Sequence, residues 1–499
     1  MMRLISLRLT VVLALVAGGF LRAAEDEPVV VPAKLSLAEA LQLAAKHNKS
    51  IQAARLTVEA DRHRVITAEG VFDPTLYGES GWLENQTSDD EYGEGWLSAG
   101  VGKRFQTGTE VAVATGWSEV DDHTASASAI DPMHDASASL TVSQDLLRNF
   151  GLGPNLKSIR VAGNQWRSSA EGVRDSLISN LYEVEYYYWQ LHFAEADLKV
   201  RAEQLARARR LVEVAEAQVR VGEAAPIEIT RSRSSAASQE VSILNARNDV
   251  ALLRNRLLRL LGVIDHENLS RPLELTDTPP SVDAALTFAQ SLAIAREKRP
   301  DCRQAELALS SAELEEDYTR NQLLPSLRLY GAVGVAGDDD GFWSAAGDAG
   351  SATYASWEVG IRAEFPLGNR IAKGRHGTAR ALRLRAAVQK RNVLEQATRE
   401  VADAFDTLTT SARKIDTARQ SRELARELLT AEEKSFKLGR STSLDVLDAQ
   451  QALAQAEREE VRAHVAYAAA LGNLHAVRGD YLEARRISIE EAPDTPASE

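Results

Sequence analysis

FKLGRSTSLDVLDAQQALAQAERE (residues 436–459) joins the end of one helical tract to the start of another through a single glycine, Gly439. This join has a counterpart earlier in the chain. LGRSTSLDV from Leu438 matches VGEAAPIEI from Val221, so Gly222 pairs with Gly439, and Gly262 pairs with Gly479 at the same offset of 217. A second match runs at another offset. LSLAEALQLAAKHNKSIQAARL from Leu35 aligns with LTFAQSLAIAREKRPDCRQAEL from Leu286, an offset of 251 that holds without a gap as far as Pro74 and Pro325. The chain reads as an internal duplication. The difference, 251 − 217 = 34, puts about 34 extra residues in the first half, between Pro74 and Gly222.

Helical spacing and a wealth of Ala, Glu, Arg and Leu predict helices over 36–70, 287–321, 227–261 and 444–478. Each would be roughly 50 Å long at 1.5 Å per residue. Two longer tracts, 156–221 and 375–438, would each reach roughly 100 Å. Two half-length helices therefore flank each full-length one. That is the arithmetic of an elongated bundle with one end at the Gly222 and Gly439 turns. AEQLARARRLVEVAEAQV (202–219) fits coiled-coil-type packing, with small and apolar residues sharing a seam.

The segments between the helices alternate with a period of two. Leu327, Leu329, Val333 and Val335 share one face, as do Trp357, Val359, Ile361, Ala363 and Phe365, with Glu358, Arg362 and Glu364 opposite. One apolar and one polar face over 10–12 residues suits a tilted strand between lipid and water. The first half carries four such runs, near 74–84, 95–105, 110–120 and 136–145. The short connection FQTGT (105–109) contrasts with long acidic ones near Asp89 and Asp90, over 121–135, and at GDDDGFWSAAGDAGSATY (337–354). That asymmetry is expected of an outer-membrane barrel. The 34-residue surplus fits one added hairpin. Five of the seven tryptophans (Trp82, Trp96, Trp117, Trp343, Trp357) fall in these segments, where interfacial girdles place aromatic residues.

Arg3 and Arg8 precede an apolar run from Leu9 to Leu21, followed by Ala23 and Ala24. This is the pattern of a secretory signal peptide over residues 1–24, cleaved after Ala23 or Ala24. The net charge of −14 and pI near 5.3 exclude nucleic acid as a general partner. A single cysteine, Cys302, excludes an intrachain disulfide. The nine histidines form no short metal-ligand pair, and no GxSxG or Walker sequence occurs. No enzyme activity, metal or cofactor is expected. The aromatic run YEVEYYYWQLHF (182–193) suits helix packing better than a ligand cage.

The leading LSLAEALQLAAKHN, the duplication, SQDLLRNFG (143–151) and LGRSTSLDVLDAQQALAQAE together resemble the outer-membrane efflux protein family, the TolC-like channel-tunnels. The resemblance covers nearly the whole chain after residue 24. It implies an α+β membrane protein in the cell outer membrane: a homotrimer sharing one transmembrane β-barrel, with a long antiparallel α-helical tunnel in the periplasm. It also implies a periplasmic adaptor docking at the helix-turn-helix tips, and an inner-membrane pump that supplies the energy. The boundaries then read as follows. A signal peptide (1–24) precedes a first leading helix (25–73), a β-segment with an extra hairpin (74–150), tunnel helices (151–265) and a linker (266–285). A second leading helix (286–324), a β-hairpin (325–370), tunnel helices (371–480) and a flexible tail (481–499) complete the chain. Family members usually give four strands per protomer to the barrel. Six are expected here, which makes either a larger barrel or a hairpin packed elsewhere; their equal alternation favours the barrel.

Asp445 and Asp448 match the family's aspartates at the narrow periplasmic entrance. Six carboxylates about one axis would concentrate cations. A plainer reading makes Asp445 the N3 residue of a capping box with Thr442; Asp448 lies beyond cap reach. Glu228 pairs with Asp445 in the repeat and is expected near the entrance, bonding across helices, while Arg231 stands where the second half has Asp448. Pro226 fits the first position of its helix. Gly222 and Gly439 are expected to end their helices in a left-handed conformation, presenting the tips, with Arg440 and Ser441, to an adaptor. Ser441 stands where the family's best-studied member has an arginine, with Arg440 one place earlier, so a latch through that arginine is not expected. The function expected is a passive exit duct for small-molecule efflux. The alternatives are a duct for type I protein secretion and, from another class, an exported helical scaffold with a soluble β-domain.

Overall fold

The computed structural model describes residues 30–86, 91–122, 133–222, 225–282, 287–339, 342–352, 354–438 and 440–487. The expected signal peptide, Gly439 and residues 488–499 of the expected tail lie outside them.

In chain order the elements begin with β1 (Lys34–Leu35), α1 (Leu37–His47), α2 (Lys49–Glu69) and a 3-10 turn (Gly70–Phe72). Next come β2 (Thr75–Gln86), β3 (Glu91–Arg104), β4 (Thr109–Asp122), β5 (Met133–Asp145), α3 (Leu152–Arg220) and α4 (Ile227–Leu261). A middle segment holds α5 (His266–Ser270), β6 (Glu274–Leu275), α6 (Phe288–Lys298) and α7 (Pro300–Asn321). The remainder is β7 (Ser326–Asp339), α8 (Phe342–Gly350), β8 (Tyr354–Glu364), α9 (Arg370–Lys437), α10 (Ser443–Arg478) and α11 (Tyr481–Ala484).

α3 and α9 are continuous over 69 and 68 residues, and α4 and α10 run for 35 and 36. The half-length helices expected before each strand segment are instead broken in two. At Asn48 (φ −64°, ψ 121°) the side-chain oxygen accepts from the Ser50 and Ile51 amides, capping α2. At Arg299 (φ −66°, ψ 126°) the following Pro300 drives the backbone out of the helical region. The breaks stand 251 residues apart with nearly the same angles.

Nearest the sheet the helices neighbour one another in the order α2, α3, α7, α9; beyond the breaks the order is α4, α3, α10, α9. The breaks coincide with the main apolar core. There α1, the end of α4 and the middle of α3 close over Leu41, Ile51, Leu181, Tyr188 and Leu257. The aromatic run is packing, as expected: Tyr188 is fully buried and its hydroxyl lies 2.8 Å from the Asp277 carboxylate. The expected linker contains α5 and β6, and β6 pairs in parallel with β1. Residues 481–487, placed in a flexible tail by composition, are packed instead: Tyr481 and Leu482 are buried in this core. This ring of short elements halfway along the shaft forms a belt.

Glu195 on α3 stands in the belt. Burial, with Glu274 nearby as a like charge, pushes its carboxyl up to about 7. Between its ordinary pKa of about 4.3 and that value, the folded belt keeps a proton that the unfolded chain has released. Stability therefore falls as pH rises through this window. Thermal melts should show the protein less stable at pH 8 than at pH 5, with the difference shrinking in Glu195→Gln. An unchanged difference in that variant would place the titrating group elsewhere.

The six long strands form one antiparallel sheet in the order β2-β3-β4-β5-β7-β8. Cross-strand partners share a face. The row Leu76, Val101, Val113, Leu140, Val333, Trp357 therefore crosses all six strands on one face, every member at least 39 % exposed. The row on the opposite face is Tyr77, Gly100, Ala114, Ser139, Gly334, Ser356. The connection between β3 and β4 is a tight turn with Gly108 at φ +89°. The acidic connection before β8, expected as a loop, contains α8, because Ala345 and Ala349 pack against Ala136 beside Gly337.

Candidate functional site

At the end of the shaft farthest from the sheet, α3 turns into α4 and α9 into α10. Gly222 has φ +81°, the expected left-handed helix end. Pro226 takes helical angles (φ −56°, ψ −25°) but precedes the first residue of α4, one place earlier than expected.

The second tip is organised by a reciprocal cap. The Thr442 amide donates to Asp445 Oδ2 at 2.9 Å, the Thr442 hydroxyl to the same atom at 2.7 Å, and the Asp445 amide returns to Thr442 Oγ1 at 3.4 Å. The Thr442 backbone N–H, and then its hydroxyl, hold the exposed Asp445 carboxyl below its usual range. Ser441 Oγ lies 2.6 Å from Glu432 Oε2 and 3.2 Å from Asp445 Oδ2. Asp445 thus serves as a cap whatever else it does.

Asp448 stands one turn further along the same helix. It is exposed, and its carboxylate meets no partner among the described residues. Two carboxylates on one open helix face, one tied and one free, form a patch of negative potential. Glu228 is treated differently. It accepts from the buried Ser443 hydroxyl of α10 and pairs with Arg231 at 3.1 Å. The expected bond across helices is present and joins the two tips, and Arg231 offsets the Glu228 charge. The exposed Arg440 uses its amide to close the end of α9, donating to the Ser435 carbonyl at 2.9 Å.

One feature of the tips was missed in the sequence. Val221 and Ile227 at the first tip, and Leu438 and Leu444 at the second, are each at least 50 % exposed. These positions pair at the offset of 217, so the repeat itself carried the signal. Among the described residues, no group of three or more His, Cys, Asp or Glu could hold a metal, and no helix is long and apolar enough to cross a membrane.

The profile of a family described as outer membrane efflux protein matches residues 40–263 and 292–480. The chain is similar to nodulation protein T of Rhizobium leguminosarum bv. trifolii, with 23% identity over 295 residues, covering 58% of this chain and 59% of that one. It is 24% identical over 372 residues to the toluene efflux pump outer membrane protein TtgC of Pseudomonas putida, covering 72% of each. It is 27% identical over 258 residues to the alkaline protease secretion protein AprF of Pseudomonas aeruginosa, covering 49% of each. The fold is shared with the outer-membrane channel OprN, at a TM-score of 0.67 and 17% identity over 89% of this chain and 90% of that one. It is also shared with the CmeC outer membrane channel of Campylobacter jejuni, at 0.66 and 15% over 89% and 86%.

Proposed function

Because the chain belongs to the outer membrane efflux protein family, and so is an outer-membrane channel with a periplasmic tunnel rather than an enzyme, we propose that three copies form a passive exit duct for small molecules. An inner-membrane pump supplies the energy through a periplasmic adaptor that docks on the exposed tips. The observation that carries this reading is the placing of unburied apolar side chains. Leu56 on α2, Val241 and Leu244 on α4, and Leu382, Val388 and Leu424 on α9 are each at least 48 % exposed. α2 and α4 bound one side of the helix order and α9 the other. β2 and β8 bound the sheet in the same sense. A protein whose two long edges each carry exposed apolar side chains and whose middle is packed is suited to side-by-side assembly with copies of itself.

The efflux proteins among the relatives support small molecules as cargo. The likeness to a protease secretion protein supports a second reading, a duct for secreted protein. Either duct narrows at the tips. Asp448, with Asp445, is the negative ring of that entrance, and Glu228 contributes less because Arg231 and Ser443 already engage it.

In planar bilayers, Asp448→Asn combined with Asp445→Asn should cut cation selectivity and weaken block by multivalent cations. Asp448→Asn alone should give part of the effect without disturbing the cap, because Asp445 stays ionised and exposed. Unchanged selectivity and block in the double variant would remove these residues from the entrance. A protein that stays monomeric and conducts no ions would sink the duct itself.

A further inference from the structure

We infer that all six strands of each copy enter the wall of one barrel, so that three copies close an eighteen-stranded barrel with a wide, water-filled bore. This rests on the trimeric duct proposed above and concerns what that duct can pass.

The hairpin β3–β4 supplies the extra strands, and its position decides where it goes. It lies inside the sheet, not at an edge. β3 pairs with β2 along twelve residue partners, and β4 pairs with β5 along twelve more. Folding this hairpin away from the wall would break both ladders. In a membrane each backbone group left without a partner costs several kcal/mol. The side chains agree. Val101 and Val113 on the hairpin stand in the same exposed apolar row as Leu76, Leu140, Val333 and Trp357. A hairpin packed against protein would bury that face or make it polar.

Closure needs no further strand. β2 leaves the helices and β8 returns to them. The free edge of β8 in one copy can therefore pair antiparallel with the free edge of β2 in the next. The strand number sets the bore, because barrel diameter grows roughly linearly with it. The inner row offers little to fill that space: of Tyr77, Gly100, Ala114, Ser139, Gly334 and Ser356, only the tyrosine is large. Barrels of about 16–18 strands hold an aqueous channel. The barrel section then admits bulky, hydrated solutes, and selection by size falls to the tips.

The test begins with an electron cryo-microscopy map of the full-length protein in nanodiscs. Eighteen strands around one axis are expected. Twelve strands with residues 91–122 outside the wall would overturn the inference while leaving the duct intact; no shared barrel at all would overturn the duct. A deletion of residues 91–122 provides a second reading, since β3 and β4 enter and leave the sheet at the same end. The wild-type channel should admit larger polyethylene glycols from the barrel side than the deletion variant does, the bore area falling about twofold with two-thirds of the strands. An equal polymer cut-off in the two channels counts against the wider barrel.

Discussion

Arg485→Leu is expected to destabilise the belt by about 3–5 kcal/mol, the usual cost of leaving a buried charge without its partner. Glu185 on α3 is fully buried. Its carboxylate receives two N–H groups of Arg485, one of them Nε at 2.9 Å, and the Tyr481 hydroxyl at 2.6 Å. Gly472 on α10 lies against it, leaving only 3.0 Å between an added Cβ and the carboxylate. Removing the guanidinium leaves a fully buried carboxylate without its cation. The double variant Glu185→Leu with Arg485→Leu should recover most of the loss, because an apolar pair of similar volume needs no compensation. Trp189 provides the readout: it is buried, with its indole N–H 3.4 Å from Glu185 Oε1. Denaturation followed by its fluorescence should rank wild type, then the double variant, then Arg485→Leu. A single variant as stable as wild type would mean that the segment after α10 is not clamped by this pair.

Gly262→Ala is expected to cost on the order of 2–4 kcal/mol, the sum of a left-handed alanine and an overpacked contact. Gly262 ends α4 at φ +77° and abuts the break between α1 and α2. An added Cβ would lie 2.5 Å from the His47 carbonyl carbon and 2.9 Å from the Asn48 nitrogen, both backbone atoms that cannot turn aside. Gly479 ends α10 at φ +76° against the break between α6 and α7, where the same atom would lie 2.8 Å from the Lys298 carbonyl oxygen. Gly479→Ala should therefore also destabilise, but less. Thermal melts of the two variants check this, and equal, small losses would show that the breaks can shift to make room.

Those two contacts bring together what the sequence kept apart. The offset of 217 links Gly262 to Gly479; the offset of 251 links His47 and Asn48 to Lys298 and Arg299. The lengths of α3, α4, α9 and α10, the strand positions and the tips were legible because each rests on a local period or a turn residue. The break at Arg299 was also written locally, in Pro300, yet the apolar periodicity running through it outweighed that signal. The break at Asn48 carries no proline, and only the side chain's bonds to Ser50 and Ile51 reveal it. The packing of Tyr481 was illegible for another reason. Its partners, Leu181 and Glu185, lie some 300 residues away, as do those of Arg485. Asp445 was legible as a cap from Thr442 alone, whereas the bond from Ser443 to Glu228 depends on how two tips meet.

The belt also has a mechanical consequence. α4 and α10 stop there, while α3 and α9 pass through it and on toward the sheet. Below it, each tip is the far end of a two-helix arm, α3 with α4 or α9 with α10, held to the belt by one continuous helix and one that ends at a glycine. With 35 residues in α4, that arm is roughly 50 Å long, so a rotation of about 10° at the belt carries the tip roughly 9 Å. The packing around Leu41, Leu181 and Leu257 therefore sets the position of the tips at a distance, since a small angle at the belt is a displacement larger than a side chain at the far end.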